Sequence, residues 1–317
     1  MQDRYINPFV DYGFKKLFGT EENKDLLIRL LNALIGDEKD PVKDLNYKNV
    51  ERIGEIVGTR TNYFDVYCST ASGREFIVEM QNSWKPFFKD RILYYAAKPI
   101  CDQGKRGIQA AEDQNRKRKN CRNKGWDSRL EDVYVVALMN FELPDKEYPS
   151  DSYLHKVQLL DVADHHVFYD KLTLIYVELP KLDHVELDLS TDQGKWLYAL
   201  NSLYYYDEYP EELEDDIFKK LFRQAELSQL SADEDLAYER SMKVYLDVFN
   251  DIEGARILGH RKGLDEGKML GIAEGKELGI AEGELKAKRE TAEKMLSMGM
   301  DLETVLQATG LSKEDLQ

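Results

Sequence analysis

The segment from Tyr63 to Gln81 constrains this 317-residue chain more than any other. Thr61–Ser69 alternates Tyr63, Asp65 and Tyr67 with Phe64, Val66 and Cys68, and Arg74–Gln81 (REFIVEMQ) alternates again. A period of two marks a strand with two unlike faces. Ser72-Gly73 between the runs is a turn signal. The pair therefore reads as a hairpin. With its turn centred on Ser72, cross-strand partners sum to 144, which sets Asp65 opposite Glu79 and Tyr63 opposite Gln81. Glu79 and Gln81 share a face because they are two apart. Phe64, Val66, Cys68, Phe76, Val78 and Met80 are expected on the other, core-forming face.

Two carboxylates one cross-strand distance apart repel unless a proton or cation lies between them. A divalent cation with hard oxygen ligands suits them, and Mg²⁺ accepts few protein ligands plus water and phosphate. Such an ion activates water and offsets charge on a scissile phosphodiester. On these residues alone the more economical reading is the solvent side of a sheet edge, because a lone D…ExQ has almost no specificity.

Around the hairpin the patterns alternate in type. Pro8–Phe18 opens with an N-P-F turn, then places Phe9, Val10, Phe14, Leu17 and Phe18 at helical spacing, with Lys15 and Lys16 exposed. Asn23–Leu34 carries a leucine stripe and reads as a second helix. Asp90–Gly104 reads as a Tyr-rich helix, and 105–129 as a polar loop or short helix. Val133–Phe141 is an unbroken apolar run, as expected of a strand covered on both faces. Lys156–Val162 and Leu172–Leu179 are further strands, and from Thr191 onward the patterns are helical. The expectation is a mixed α/β block followed by an all-helical remainder, divided as 1–185, 186–255 and 256–317.

Charge sharpens this division. The net of −16 argues at face value against a nucleic-acid binder. It is unevenly spread: residues 1–140 carry +3 and residues 141–317 carry −19. Residues 105–129 hold nine Lys and Arg against three acids. A net of +6 there fits contact with a phosphate backbone, although such runs are more often solvated loops. Three scattered cysteines give neither a disulfide framework nor a zinc site. The five histidines form no catalytic or metal-binding pattern. With no signal-peptide core and no membrane-length apolar run, a cytoplasmic protein with no membrane partner is expected.

Glycine recurs every four residues from Gly263 to Gly283 within GLDEGKML, GIAEGKEL and GIAEG. Each interior glycine costs a helix about 1 kcal/mol relative to alanine. The repeat reads either as a small-residue homodimer seam or as an intermittently helical linker. At the C-terminus, helix–Gly–helix–TGLS resembles the start of a helix-turn-helix, and Ser312 with Asp315 has N-cap-box spacing. Too few residues come after Ser312 for a recognition helix, so a small packing or dimerisation element is expected.

The order of these motifs resembles the PD-(D/E)xK nuclease superfamily, and most closely its Rpn-type recombination-promoting nuclease, or transposase-like, branch. The resemblance rests on NPFVDYGFKKLFG (Asn7–Gly19), YFDVYC (Tyr63–Cys68), GREFIVEMQNS (Gly73–Ser83) and DRILYYAAKPICDQ (Asp90–Gln103). It covers residues 5 to about 180 well and the tail loosely. It implies a restriction-endonuclease-like α/β core, a mixed central sheet flanked by helices, followed by an all-helical C-terminal region. It further implies a DNA endonuclease dependent on Mg²⁺, for which Mn²⁺ can substitute, associated with recombination or mobile elements. Asp65 and Glu79 would be the metal ligands, and Gln81 would stand where most of the superfamily has Lys. Gln hydrogen-bonds but carries no charge. Glu55 is a candidate third carboxylate. Asp11 and Lys15 match the N-terminal motif, and Lys15, Arg116, Lys117, Arg118 and Lys119 are expected to contact DNA. A homodimer through the C-terminal helices is expected. The rival expectation is a catalytically inactive nuclease-fold protein serving as a DNA-binding or interaction module.

Overall fold

The computed structural model describes residues 3–48, 64–117, 125–144 and 150–316, with only the backbone of 114–117. The chain divides into two units, Met1–Tyr245 and Leu246–Gln317.

The first unit is built on a six-stranded mixed sheet of order β1-β2-β3-β4-β6-β5. Its strands are β1 (Asn46–Tyr47), β2 (Val66–Ser69), β3 (Glu75–Gln81), β4 (Val133–Met139), β5 (Leu154–Leu160) and β6 (Val167–Glu178). β3, β4 and β6 run parallel, and the remaining pairs are antiparallel. All seven residues of β4 are buried, which is why its sequence shows no alternation. The β2–β3 register is the expected one: Val66 pairs with Val78 and Cys68 with Phe76. Their turn needs Gly73, at φ 99°, a region that other residues avoid. The two-residue β1 left no sequence signal.

A parallel β3–β4 pair requires a crossover, and α3 (Phe88–Lys117) supplies it. This helix runs well beyond the expected Gly104 and takes up half of the basic stretch. It covers one face of the sheet, where Ile77, Val135, Ala137 and Tyr176 meet Phe88, Ile92 and Ala96. The opposite face packs Val66, Phe76, Val78 and Val136 against α1 (Asp11–Phe18), α2 (Lys24–Ile35), α4 (Asp192–Ser202) and α5 (Asp216–Ala225). Phe64 corrects one expectation. It packs on the α3 side, 5.3 Å from the Tyr95 ring, because the chain bends at Asp65 and the alternation starts only at β2.

The N-terminal motif has a structural cause. Asn7 is buried, and its Oδ1 accepts from the Phe9 backbone N–H at 2.8 Å. The Asn7 carbonyl would lie 2.2 Å from a Cβ at position 13, so only glycine fits there. Tyr238 and Asn7 are joined at 2.8 Å, which ties this turn to the start of α6 (Ala232–Ser297). Lys16 is not free on the surface, as it pairs with Glu234 at 2.6 Å.

The second unit contains the rest of α6 and α7 (Leu302–Thr309). The glycine repeat is continuous helix, which removes the intermittently helical reading. Ala292, Val305 and Leu311 form a small core with Leu285, Met295, Leu306 and Leu316 around them. Asp301 caps α7 by accepting from Thr304 N–H at 3.0 Å. Ser312 and Asp315 make the expected reciprocal box, at 2.9 and 3.2 Å. Among the described residues, no helix is long and apolar enough to cross a membrane.

Candidate active site

One face of β3 carries Glu75, Ile77, Glu79 and Gln81. Both glutamates are buried, at 1% and 2% exposure, because α3 lies over this face. The solvent-edge reading therefore fails.

Glu75 is neutralised within the protein. It accepts from the Tyr67 hydroxyl and Arg106, and Lys48 Nζ lies 3.0 Å away. Arg106 is thus one basic residue of 105–129 spent on the interior. A second buried acid, Glu178 at the end of β6, is likewise satisfied by His155 at 2.7 Å, Lys181 at 2.9 Å and the Leu143 N–H at 2.7 Å. Neither network was visible in the sequence, since its members are far apart along the chain.

Glu79 differs. Its Oε2 accepts from Gln81 Nε2 at 2.9 Å, but its buried Oε1 has no hydrogen-bond partner. Asp65 reaches the same end of β3, where its Oδ2 accepts from the Met80 N–H at 2.6 Å. The structure thus brings Asp65, Glu79 and Gln81 together at the carboxyl end of a central strand. Burial pushes the Asp65 carboxyl up to about 6, and the charge of Asp11 adds to the rise. Burial, and then the negative charge of Asp65, hold the Glu79 carboxyl well above its ordinary value. Burial and the Glu79 charge also raise the Tyr95 hydroxyl. These carboxylates are short of positive charge.

Two cations partly offset this. Lys15 on α1 is half-buried and pairs with Asp11 at 2.7 Å, and its charge favours the ionised forms of Asp65 and Glu79. Arg91 on α3 does the same and also donates to Gln81 Oε1. Arg91 stood unremarked within a motif in the sequence; the signal that could have found it is its place one turn into the helix after the hairpin. Among the described residues, no third Asp, Glu, His or Cys completes a metal-binding group. Glu55, Tyr63, Arg118 and Lys119 lie outside the described residues. Arg116 and Lys117 belong to the last turn of α3, where only the backbone is described.

The residues present fit a divalent cation. A buried carboxylate oxygen without a donor, beside a second carboxylate, is a hard-oxygen donor set lacking its counter-charge.

The model of the PD-(D/E)XK nuclease family transposase matches residues 8–255. The chain belongs to that family. Its tail, residues 285–317, matches the C-terminal HTH domain of the Rpn/YhgA-like nuclease family. Together these make it an Rpn-type PD-(D/E)xK protein, and the mixed sheet with its helical C-terminus is the fold that the family implies. No curated protein and no solved structure matches the chain. A small packing or dimerisation element is expected of the tail; the tail also matches a helix-turn-helix domain model. The matched segment starts at 285, inside α6, so most of it precedes Ser312.

Proposed function

We propose that this chain is a divalent-cation-dependent DNA endonuclease, in which Asp65 and Glu79 hold the ion and Gln81 orients water or substrate. One observation carries the reading: the buried, unpartnered Oε1 of Glu79 beside Asp65 in a nuclease-family fold. The bound ion, Mg²⁺ or Mn²⁺, would supply an activated water and charge stabilisation at the phosphorus. Asp65 and Glu79 fix where the reacting phosphate sits. α3 packs over this face of the sheet, and burial strengthens each charge interaction there. Lys15 and the basic residues Arg116, Lys117, Arg118 and Lys119 hold the backbone of DNA through salt-sensitive contacts. The helix-turn-helix tail brings a second DNA contact, and the C-terminal helices a homodimer. In this reading residues 1–185 are the nuclease domain, 186–255 a helical layer and 256–317 the association and DNA-contact region. The setting is cytoplasmic recombination or mobile-element DNA.

The test is nicking of supercoiled plasmid with Mg²⁺ or Mn²⁺. Wild type should nick, while Asp65→Asn and Glu79→Gln should not. Equal nicking by all three, or none by wild type, rejects catalysis and favours a non-cleaving DNA-binding module.

A further inference from the structure

We infer that Arg91 is a positioning residue of this site, supplying through Gln81 the positive charge that a lysine would bring at that position. The inference rests on the nuclease reading above.

The chemistry of the contacts fixes the order of the chain Arg91–Gln81–Glu79. A guanidinium has donors and no acceptor, and a carboxylate ionised to hold a metal has acceptors and no donor. The Gln81 amide sits between them, so its oxygen faces Arg91 and its nitrogen faces Glu79. Turning the amide over would break both hydrogen bonds. Gln81 therefore has no free choice of orientation, and Arg91 sets it. The Arg91 guanidinium is itself braced, 5.7 Å from the centre of the Phe88 ring one turn earlier. Its Nε is buried and makes no hydrogen bond among the described residues, so the guanidinium is held within the protein and its side-chain hydrogen bond here goes to Gln81. The other nearby cation, Lys15, is engaged by Asp11 at 2.7 Å and makes no such link to Gln81. A lysine at position 81 would carry charge and donor in one side chain; here the donor is Gln81 and the charge comes from α3.

The experiment uses full-length protein and four variants: Arg91→Met, Arg91→Lys, Lys15→Met, and Arg91→Met combined with Gln81→Lys. Plasmid nicking gives kcat and KM. Calorimetry with Mn²⁺ alone gives ion affinity without DNA. Arg91→Met should lower kcat by about tenfold or more with a smaller change in KM. Its Mn²⁺ affinity should change much less than kcat, because loss of a like charge near the ion is opposed by harder protonation of Asp65 and Glu79. Adding Gln81→Lys should restore a measurable part of kcat. Lys15→Met should act mainly on KM. An unchanged kcat in Arg91→Met overturns the inference. So does a parallel loss of Mn²⁺ affinity and kcat that Gln81→Lys does not rescue, since that marks a merely structural role. If Arg91→Met does not fold, Arg91→Lys decides: kcat within about tenfold of wild type supports a need for charge, and complete loss with normal Mn²⁺ binding overturns it. A wild type that neither nicks nor gives Mn²⁺ heat sensitive to Glu79→Gln rejects the nuclease reading itself, and this inference with it.

Discussion

The Asp65 carboxylate accepts the Met80 backbone N–H at 2.6 Å, continuing the β2–β3 ladder one step past the first paired residue of β2. The side chain thus stands in for a main-chain carbonyl. Asp65→Ala should destabilise the fold by about 1–3 kcal/mol, the cost of an orphaned buried donor. Asp65→Asn keeps an acceptor oxygen and should stay near wild-type stability while losing ion binding. Urea denaturation of both variants checks this, and equal stability of Ala and wild type would remove the ladder role.

The carboxylate pair predicts a pH dependence. Asp65 holds its proton up to about 6 when folded, and Glu79 is also raised. Their unfolded values lie at about 4. The folded state therefore binds more protons than the unfolded state between these limits, and stability falls as pH rises through them. In EDTA, the thermal midpoint of Glu79→Gln should gain on that of wild type from pH about 5 to pH about 7.5. Mn²⁺ should raise the wild-type midpoint at the upper pH and leave the variant's almost unmoved. A difference that is flat with pH contradicts the assignment.

At Gly13 an added Cβ would meet the Asn7 carbonyl at 2.2 Å, and backbone cannot swing aside as a side chain can. Gly13→Ala should cost about 3 kcal/mol in chemical denaturation. A near-neutral result would show that the N-P-F turn is not fixed as described.

The glycine repeat invites the opposite substitution. Nothing lies within 4 Å of a Cβ built at any glycine from Gly263 to Gly283. A step of four residues overshoots a helical turn by about 40°, so the row winds round the helix. Replacing Gly271 and Gly275 by Ala should stabilise this helix by about 1 kcal/mol per site, read as a higher melting temperature of its circular dichroism. Light scattering on the same full-length variant tests the seam. A weakened dimer places close backbone contact at these glycines, and an unchanged mass excludes it there.

The hairpin register was legible because both strands alternate and a single turn signal lies between them. That register set the start of β2 beside the Glu79 end of β3, but Asp65 itself lies outside the paired residues, at a bend, and reaches that end through the Met80 N–H. Burial of that end was not legible, since what covers it is α3, and the helical pattern does not say where a helix will lie. Phe64 was misplaced for a related reason: alternation holds only inside a strand, and the chain bends at Asp65. The N-terminal motif read as an amphipathic helix with exposed lysines, yet its fixed points, Asn7 and Gly13, serve a turn held by Tyr238 more than two hundred residues away. Contacts at that separation leave no local trace.

On one face of β3, the glutamate at position 75 is closed off by side chains of its own chain, and the one at position 79 keeps a bare oxygen. Of the two glutamates, only the one at position 79 keeps an acceptor oxygen unused. On the proposed reading, a small cation has a single address on that face, at the carboxyl edge of the sheet. Exchange of one metal for another should leave its mark on Tyr95 and Gln81 while Tyr67 and Arg106 stay silent.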